Sequence, residues 1–173
     1  MTEQTMDTSD CAAMGTTTEH HKKLTPFEGT FKSVVKMWMG PGEPSVMTGV
    51  IKNTFDLEGR FLHQSYESDP STDGPFSNFA GRGYWGYNTV TNEYEGFWID
   101  TACTFMQHER GQVDGAGKVW TMTGTMPNPQ TGGTMTKKSV ITLKDRDHHS
   151  LEMYFDGPDG NEFKAMEIQY TRA

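Results

Sequence analysis

The sequence is poor in the residues that build helical bundles and disulfide-bonded domains. Its 173 residues include only 5 Leu and 7 Ala, but 23 Thr, 10 Phe, 6 Tyr and 4 Trp. Leucine and alanine favour helices, whereas threonine and the aromatic residues favour strands. The two cysteines, Cys11 and Cys103, are too few for a disulfide framework and suit a reducing compartment. These shortages predict an all-β protein of the cytoplasm.

Long hydrophobic runs and basic clusters are also missing. No apolar run approaches the length of a membrane-spanning helix, and the N-terminus lacks the basic and apolar regions of a secretory leader. The formal net charge is -8 at pH 7, so no basic face is expected for phosphate backbones or anionic lipids. The sequence therefore predicts a cytoplasmic protein that binds neither nucleic acid nor a membrane.

The chain divides into a polar N-terminal segment and one β-rich domain. Residues 1–20 contain acidic residues but no Lys or Arg, which predicts a disordered acidic tail. In residues 21–173, turn signals rich in Gly, Pro, Asn and Asp interrupt alternating stretches. A short helix around 20–28 is expected to plug one end. The predicted strands are 29–39, 46–57, 60–67, 79–87, 93–100, 103–110, 118–126, 135–144, 150–156 and 162–172.

Strands of this number and spacing predict an antiparallel up-and-down meander. An open sheet of about ten strands would expose two edges, and closure into a barrel removes them. A two-sheet sandwich is the main alternative. Side chains alternate along a strand, so a first strand with Lys32 and Lys36 on its outer face turns Phe31, Met37 and Met39 inward.

The inward faces of the strands predict a lining of methionine and aromatic side chains. Methionine fills gaps in ordinary cores and also lines adaptable binding surfaces, so a filled interior and a ligand cavity both stay open. The expected ligand-binding residues are Met37, Met39, His63, Trp85, Trp98, His108, Trp120, Met122, Met153 and Tyr170.

Several stretches resemble an uncharacterised bacterial family, the domain of unknown function numbered 1579, which is grouped with the calycins. The stretches are MWMGPGEP (37–44), GRGYWGY (81–87), FWID (97–100), MPNPQTGG (126–133), EMYFDGPDGNEFK (152–164) and MEIQYTR (166–172). The resemblance covers residues 20–173. It implies a calycin-like β-barrel, and it brings no activity, substrate or catalytic residue.

A second likeness concerns the closed end of the barrel. Gly29-Thr30-Phe31 is similar to the Gly-x-Trp signature of lipocalins, in which the aromatic ring packs at the base and an arginine of the last strand covers it. Arg172 stands at the matching place. The likeness predicts that Phe31 and Arg172 close the barrel through a cation–π contact. The expected fold is thus a single lipocalin-like barrel with a short N-terminal helix.

Residues with catalytic or ligating potential are few and scattered. His63, Glu67 and His108 fall at positions that could face inward and hold a metal or haem, but nothing in the sequence brings them together. Asp100 is expected at a hairpin end, and the pair His148-His149 in a solvated turn. No catalytic residue, metal site or cofactor is predicted.

The leading functional hypothesis is a protein that binds a small apolar or amphipathic molecule inside the barrel. The alternatives are an isomerase-like or cyclase-like enzyme, a haem- or metal-binding barrel, and a scaffold whose loops 40–44 or 127–133 meet a partner. A void lined by Met and Trp favours binding, buried titratable groups converging on it favour an enzyme, and a filled interior favours a scaffold. The sequence leaves the ligand and a homodimer open.

Overall fold

Ten antiparallel strands close into one up-and-down barrel in the computed structural model, which describes residues 8–70, 76, 78–157 and 160–173. The strands are β1 Gly29–Met37, β2 Ser45–Asp56, β3 Phe61–Ser68, β4 Ala80–Asn88, β5 Glu93–Asp100, β6 Gln107–Val113, β7 Val119–Pro127, β8 Thr134–Leu143, β9 His148–Asp156 and β10 Glu162–Arg172. Each strand pairs with its neighbours in sequence, and β1 pairs with β10. The predicted fold class is confirmed.

Pairing of the first and last strands closes the barrel. Phe31 of β1 lies opposite Arg172 of β10, and Met37 lies opposite Met166. Phe31 therefore marks the base of the barrel, and Met37 marks the opposite end. Because both edges of the meander are consumed in this pairing, the described strands leave no free sheet edge for another chain to join.

The strand boundaries follow the turn signals, with one larger departure at β6. This strand spans Gln107–Val113 rather than the predicted 103–110. The chain turns directly after β5, where Asp100 Oδ1 accepts a hydrogen bond from Ala102 N at 2.9 Å. Residues up to Met106 belong to this connection, which lies at the same end of the barrel as Met37.

The described part of the N-terminal segment is largely helical. Helix α1 spans Thr8–Met14, helix α2 spans Glu19–Lys22, and a 3-10 turn spans Thr25–Phe27. Thr18 caps α2, because its hydroxyl accepts from His20 N while the His21 ring accepts from Thr18 N. The prediction of a disordered tail is thus corrected from Thr8 onward, and residues 1–7 lie outside the described residues. No helix in the described ranges is long and apolar enough to cross a membrane.

The segment that follows α2 plugs the base of the barrel. Leu24 and Phe27 are fully buried there. The Phe27 ring centroid lies 5.1 Å from those of Trp85 and Trp120. The plug cluster consists of Leu24, Phe27, Leu62, Trp85, Tyr87, Tyr94, Trp120 and Met122. This aromatic packing fills the lower part of the barrel and leaves the upper part to other side chains.

Arg172 seals the base beneath Phe31. Its guanidinium carbon lies 4.4 Å from the centroid of the Phe31 ring, so the predicted pair is in contact. A side chain at Gly29 would overlap the guanidinium, and Gly29 has a φ of 128° that favours glycine. The guanidinium also donates, at 2.8–2.9 Å, to the carbonyl oxygens of Pro26, Glu28 and Arg146.

Candidate functional site

A cavity of about 1490 Å³ occupies the barrel above the plug. It extends to the loops at the end opposite Arg172, including Gly40 to Gly42 and Asn128 to Thr131. Ligand pockets commonly measure about 300–1,000 Å³, so this one has room for a sizeable small molecule. Methionines from six strands line it: Met37, Met47, Met122, Met126, Met135, Met153 and Met166.

Trp98 forms a flat part of the cavity wall because the neighbouring strand β4 carries glycine beneath it. A side chain at Gly81 would overlap the indole ring, and a Cβ at Gly83 would lie 2.8 Å from Trp98 Cε3. The indole Nε1 donates to Asp100 Oδ2 at 3.1 Å, which fixes the orientation of the ring. Gly81 and Gly83 of the GRGYWGY stretch thus leave the space in which the Trp98 ring packs on the cavity wall.

Five polar side chains interrupt the apolar lining on β5, β6 and β8. Lys137 Nζ donates to Gln107 Oε1 at 2.9 Å and lies 3.4 Å from Glu109 Oε1. Ser139 Oγ donates to the same Glu109 oxygen at 2.6 Å. Gln107 Nε2 donates to Asp100 Oδ2 at 3.3 Å. These five residues all line the cavity and are here named the polar row: Asp100, Gln107, Glu109, Lys137 and Ser139.

Lys137 and Glu109 come together because β7, the strand between theirs, has no side chain at the point of contact. Lys137 pairs with Gly124 across one edge of β7. The pairing of Arg110 with Thr123 places Glu109 opposite Gly124 across the other edge. A side chain at position 124 would overlap the His108 carbonyl oxygen and approach Glu109 Cγ at 3.3 Å.

The charged members of the polar row are well removed from water. Lys137 is 4% exposed, and the Glu109 side chain is 18% exposed. A buried ammonium group is tolerated when a carboxylate and hydrogen bonds replace its water shell, as they do here. The second carboxylate oxygen, Glu109 Oε2, accepts no hydrogen bond from any described residue. This oxygen is therefore available to a bound molecule.

His149 lies at the floor of the cavity, which corrects the prediction of a solvated turn. It is 5% exposed, and its ring stacks on Tyr170 with the centroids 4.4 Å apart. Phe27 and Phe31 meet the imidazole edge-on. Burial, assisted by the positive charge of Arg172, lowers the pKa of His149 to about 3. The floor is therefore uncharged at neutral pH.

Most of the ligand-binding residues expected from the sequence lie on the cavity lining. They are Met37, Met39, Trp85, Trp98, Met122, Met153 and Tyr170. Met39 stands at the rim and is largely exposed. Trp85 Nε1 is buried without a hydrogen-bond partner among the described residues. That these side chains contact a ligand stays a prediction.

Three expected residues lie elsewhere. His63 and His108 are on the outer face of the barrel, where His63 packs against Tyr84 and His108 is exposed. The residues next to them face inward instead, namely Leu62 on β3 and Glu109 on β6. Trp120 faces inward but is fully buried in the plug cluster, below the cavity.

The candidate ligands for a metal or haem site also lie on the outer face of the barrel. Glu67 forms an ion pair with Arg82 on the outer face. Among the described residues, no group of three or more His, Cys, Asp or Glu side chains is placed to hold a metal ion. His63, Glu67 and His108 therefore do not form a common site.

Most of the polar row is absent from the sequence prediction. Gln107, Glu109, Lys137 and Ser139 are not among the site residues expected from the sequence, which places Asp100 at a hairpin end. On β8 the sequence does indicate that Lys137 and Ser139 face inward, because the apolar residues Met135 and Ile141 lie on the same face of the strand.

Comparisons with known proteins give one family and similar solved structures. A family model described as a protein of unknown function, DUF1579, matches residues 16–172. An S-type phycobiliprotein lyase, CPES from Guillardia theta, is similar in structure, with a TM-score of 0.54 and 12% identity over 94% of this chain and 96% of that chain. A redesigned β-barrel is similar with a TM-score of 0.45 and 12% identity, over 87% and 95% of the two chains. No curated protein matches the sequence. At this identity the likeness to the lyase shows the fold alone.

Proposed function

This chain belongs to the DUF1579 family, whose function is unknown, and we propose that its barrel binds one small amphipathic molecule. The apolar body of the molecule lies against the methionines and Trp98, and its polar group meets the polar row. The observation that carries the proposal is a cavity of about 1490 Å³ whose largely apolar lining contains a connected set of polar side chains, the polar row.

The size of the cavity favours a bound molecule over a loosely filled core. Protein interiors are normally packed as densely as organic crystals, and the few voids they contain are small. The plug cluster shows that this chain packs aromatic side chains tightly where it fills its barrel. Methionines, which adapt their shape to a neighbour, are frequent in the lining of the unfilled part.

The polar row favours an amphipathic molecule over a purely apolar one. Burying Lys137 and Glu109 in an apolar wall carries a desolvation penalty that hydrophobic residues at these positions would avoid. They take no part in sealing the base of the barrel, which the plug cluster and Arg172 close. A polar group on the ligand gives the buried pair a partner.

The test is an equilibrium titration with a neutral amphipathic probe, a dansyl fluorophore joined through an undecyl chain to a hydroxyl group. We expect saturable binding of one probe per chain, with quenching of tryptophan emission by energy transfer. Unlabelled undecanol should displace the probe. The proposal fails if no saturable binding is seen below the concentration at which the probe aggregates.

An enzyme that uses the same cavity is the second candidate. Two oppositely charged buried groups, Lys137 and Glu109, converge on the void, and such pairs can act as general acid and base. Mass spectrometry of a molecule that co-purifies with the protein separates the two candidates. A binding protein returns the molecule unchanged after incubation with fresh protein, whereas an enzyme converts it.

A further inference from the structure

We infer that the cavity prefers a cationic ligand, an amphipathic amine, over an anionic amphiphile of the same size. The inference rests on the proposed function and concerns the charge of the group that meets the polar row. It follows from the charges that face the interior and from the hydrogen-bonding capacity that they leave free.

The charges inside the cavity sum to one negative charge. Asp100 and Glu109 each contribute a carboxylate, and Lys137 contributes one ammonium group. A ligand cation brings the interior to neutrality, whereas a ligand anion raises the excess to two negative charges. Charges of like sign repel more strongly in such a poorly solvated site than in water, so the anion is disfavoured.

The other ionisable groups near the cavity do not reverse this balance. Lys164 and Asp156 line the mouth, where Lys164 is already paired with the outer carboxylates of Glu152 and Glu167. The His149 imidazole at the floor is neutral at neutral pH, because burial lowers its pKa. Within the described lining, no unpaired cation is therefore offered to a ligand carboxylate.

The hydrogen bonds of the polar row point to the same preference. The oxygens of Asp100 already accept from Trp98, Gln107 and the Ala102 amide. Glu109 Oε1 accepts from Ser139 and faces the Lys137 ammonium, whereas Glu109 Oε2 accepts from no described residue. An ammonium group supplies the donor that this oxygen lacks, and the bond is strengthened by charge.

The experiment compares three dansyl-undecyl probes that end in an ammonium, a hydroxyl or a carboxylate group. In about 0.5 M salt, which screens the surface charges of the protein, we expect the amine to bind at least about tenfold more tightly than the carboxylate. The hydroxyl probe should fall between them. The ranking in the wild-type protein needs no variant, so it tests the inference even if a substitution prevents folding.

Glu109→Gln then assigns the preference to the polar row. The change removes the interior negative charge with little change in shape, and the amine-to-carboxylate affinity ratio should fall by about tenfold. Glu95→Gln is the matched control. It removes the same charge from the outer wall, where Glu95 pairs with Arg110, and should leave the ratio unchanged.

The outcomes separate the inference from the proposed function. If the hydroxyl probe binds saturably but the carboxylate binds as tightly as the amine, the charge preference is wrong and the proposed function stands. An unchanged ratio in Glu109→Gln also overturns the assignment to this site. If none of the three probes binds, the proposed function itself fails.

Discussion

Lys137 and Glu109 lie on strands that do not pair with each other, yet 3.4 Å separates Lys137 Nζ from Glu109 Oε1. The two side chains meet over Gly124 of the strand between them. A glycine in the middle of a strand usually weakens it, because it packs no side chain. Here the missing side chain makes the space in which a buried ion pair forms on the wall of an apolar cavity.

Gly124→Ala should therefore destabilise the protein by about 1–3 kcal/mol, because the added methyl group would overlap the His108 carbonyl oxygen and crowd Glu109. Urea unfolding followed by circular dichroism measures the change. Gly115→Ala is the control, since a Cβ there would have no heavy atom within 4 Å. Equal losses in the two variants would contradict the steric role assigned to Gly124.

Removal of the Arg172 side chain should weaken the base of the barrel. Arg172→Ala loses the contact with Phe31 and leaves three carbonyl oxygens without their donor, at a cost of about 1–3 kcal/mol in the free energy of unfolding. Arg172→Lys should retain only part of this free energy, because an ammonium group lacks the planar fork of donors of a guanidinium group. Arg110→Ala, at an exposed ion pair, should change little. Full recovery by lysine would show that charge alone matters at the base.

His149 should make the fold sensitive to mild acid. The buried imidazole has a pKa of about 3, whereas in the unfolded chain it takes up a proton below about pH 6.5. The unfolded state therefore binds more protons between these values, and stability falls as the pH is lowered through this window. Between about pH 7.5 and about pH 5, His149 should lower the free energy of unfolding by about 1–2 kcal/mol.

His149→Phe should reduce this pH dependence while keeping an aromatic ring against Tyr170. The free energy of unfolding, measured by urea denaturation at several pH values, gives the slope. The exposed His108 is the control position, and His108→Phe should leave the slope as in the wild type. If His149→Phe has the wild-type slope, the buried neutral imidazole is not the source of the acid sensitivity.

The fold could be predicted because apolar residues alternate clearly along most strands. Phe31 and Val35 face inward between outward lysines on β1. Leu151 and Met153 likewise line the cavity from β9. Helix α1 gave no such signal, because its side chains that the structure describes are exposed and most of its residues are polar or small.

Most of the polar row could not be predicted because it violates the rule that places charge outside. On β8 two adjacent lysines, Lys137 and Lys138, face opposite sides, and only the apolar Met135 and Ile141 on the face of Lys137 indicate which of them is buried. Strand β6 begins with polar residues only, so nothing in its first half fixes which face is inward. The gap at Gly124 has meaning only once the pairing of three strands is known.

The most direct test of ligand binding inside the barrel places a charge on the wall of the cavity. Met153 faces the cavity, and the next residue, Tyr154, faces outward, where Lys138 lies over its ring. With the neutral dansyl probe, Met153→Asp should weaken binding at least about tenfold, because the apolar chain of the probe would strip water from the added carboxylate, while Tyr154→Asp should leave the affinity within about twofold of the wild type. Wild-type affinity in both variants would place the probe outside the barrel and contradict the proposed function.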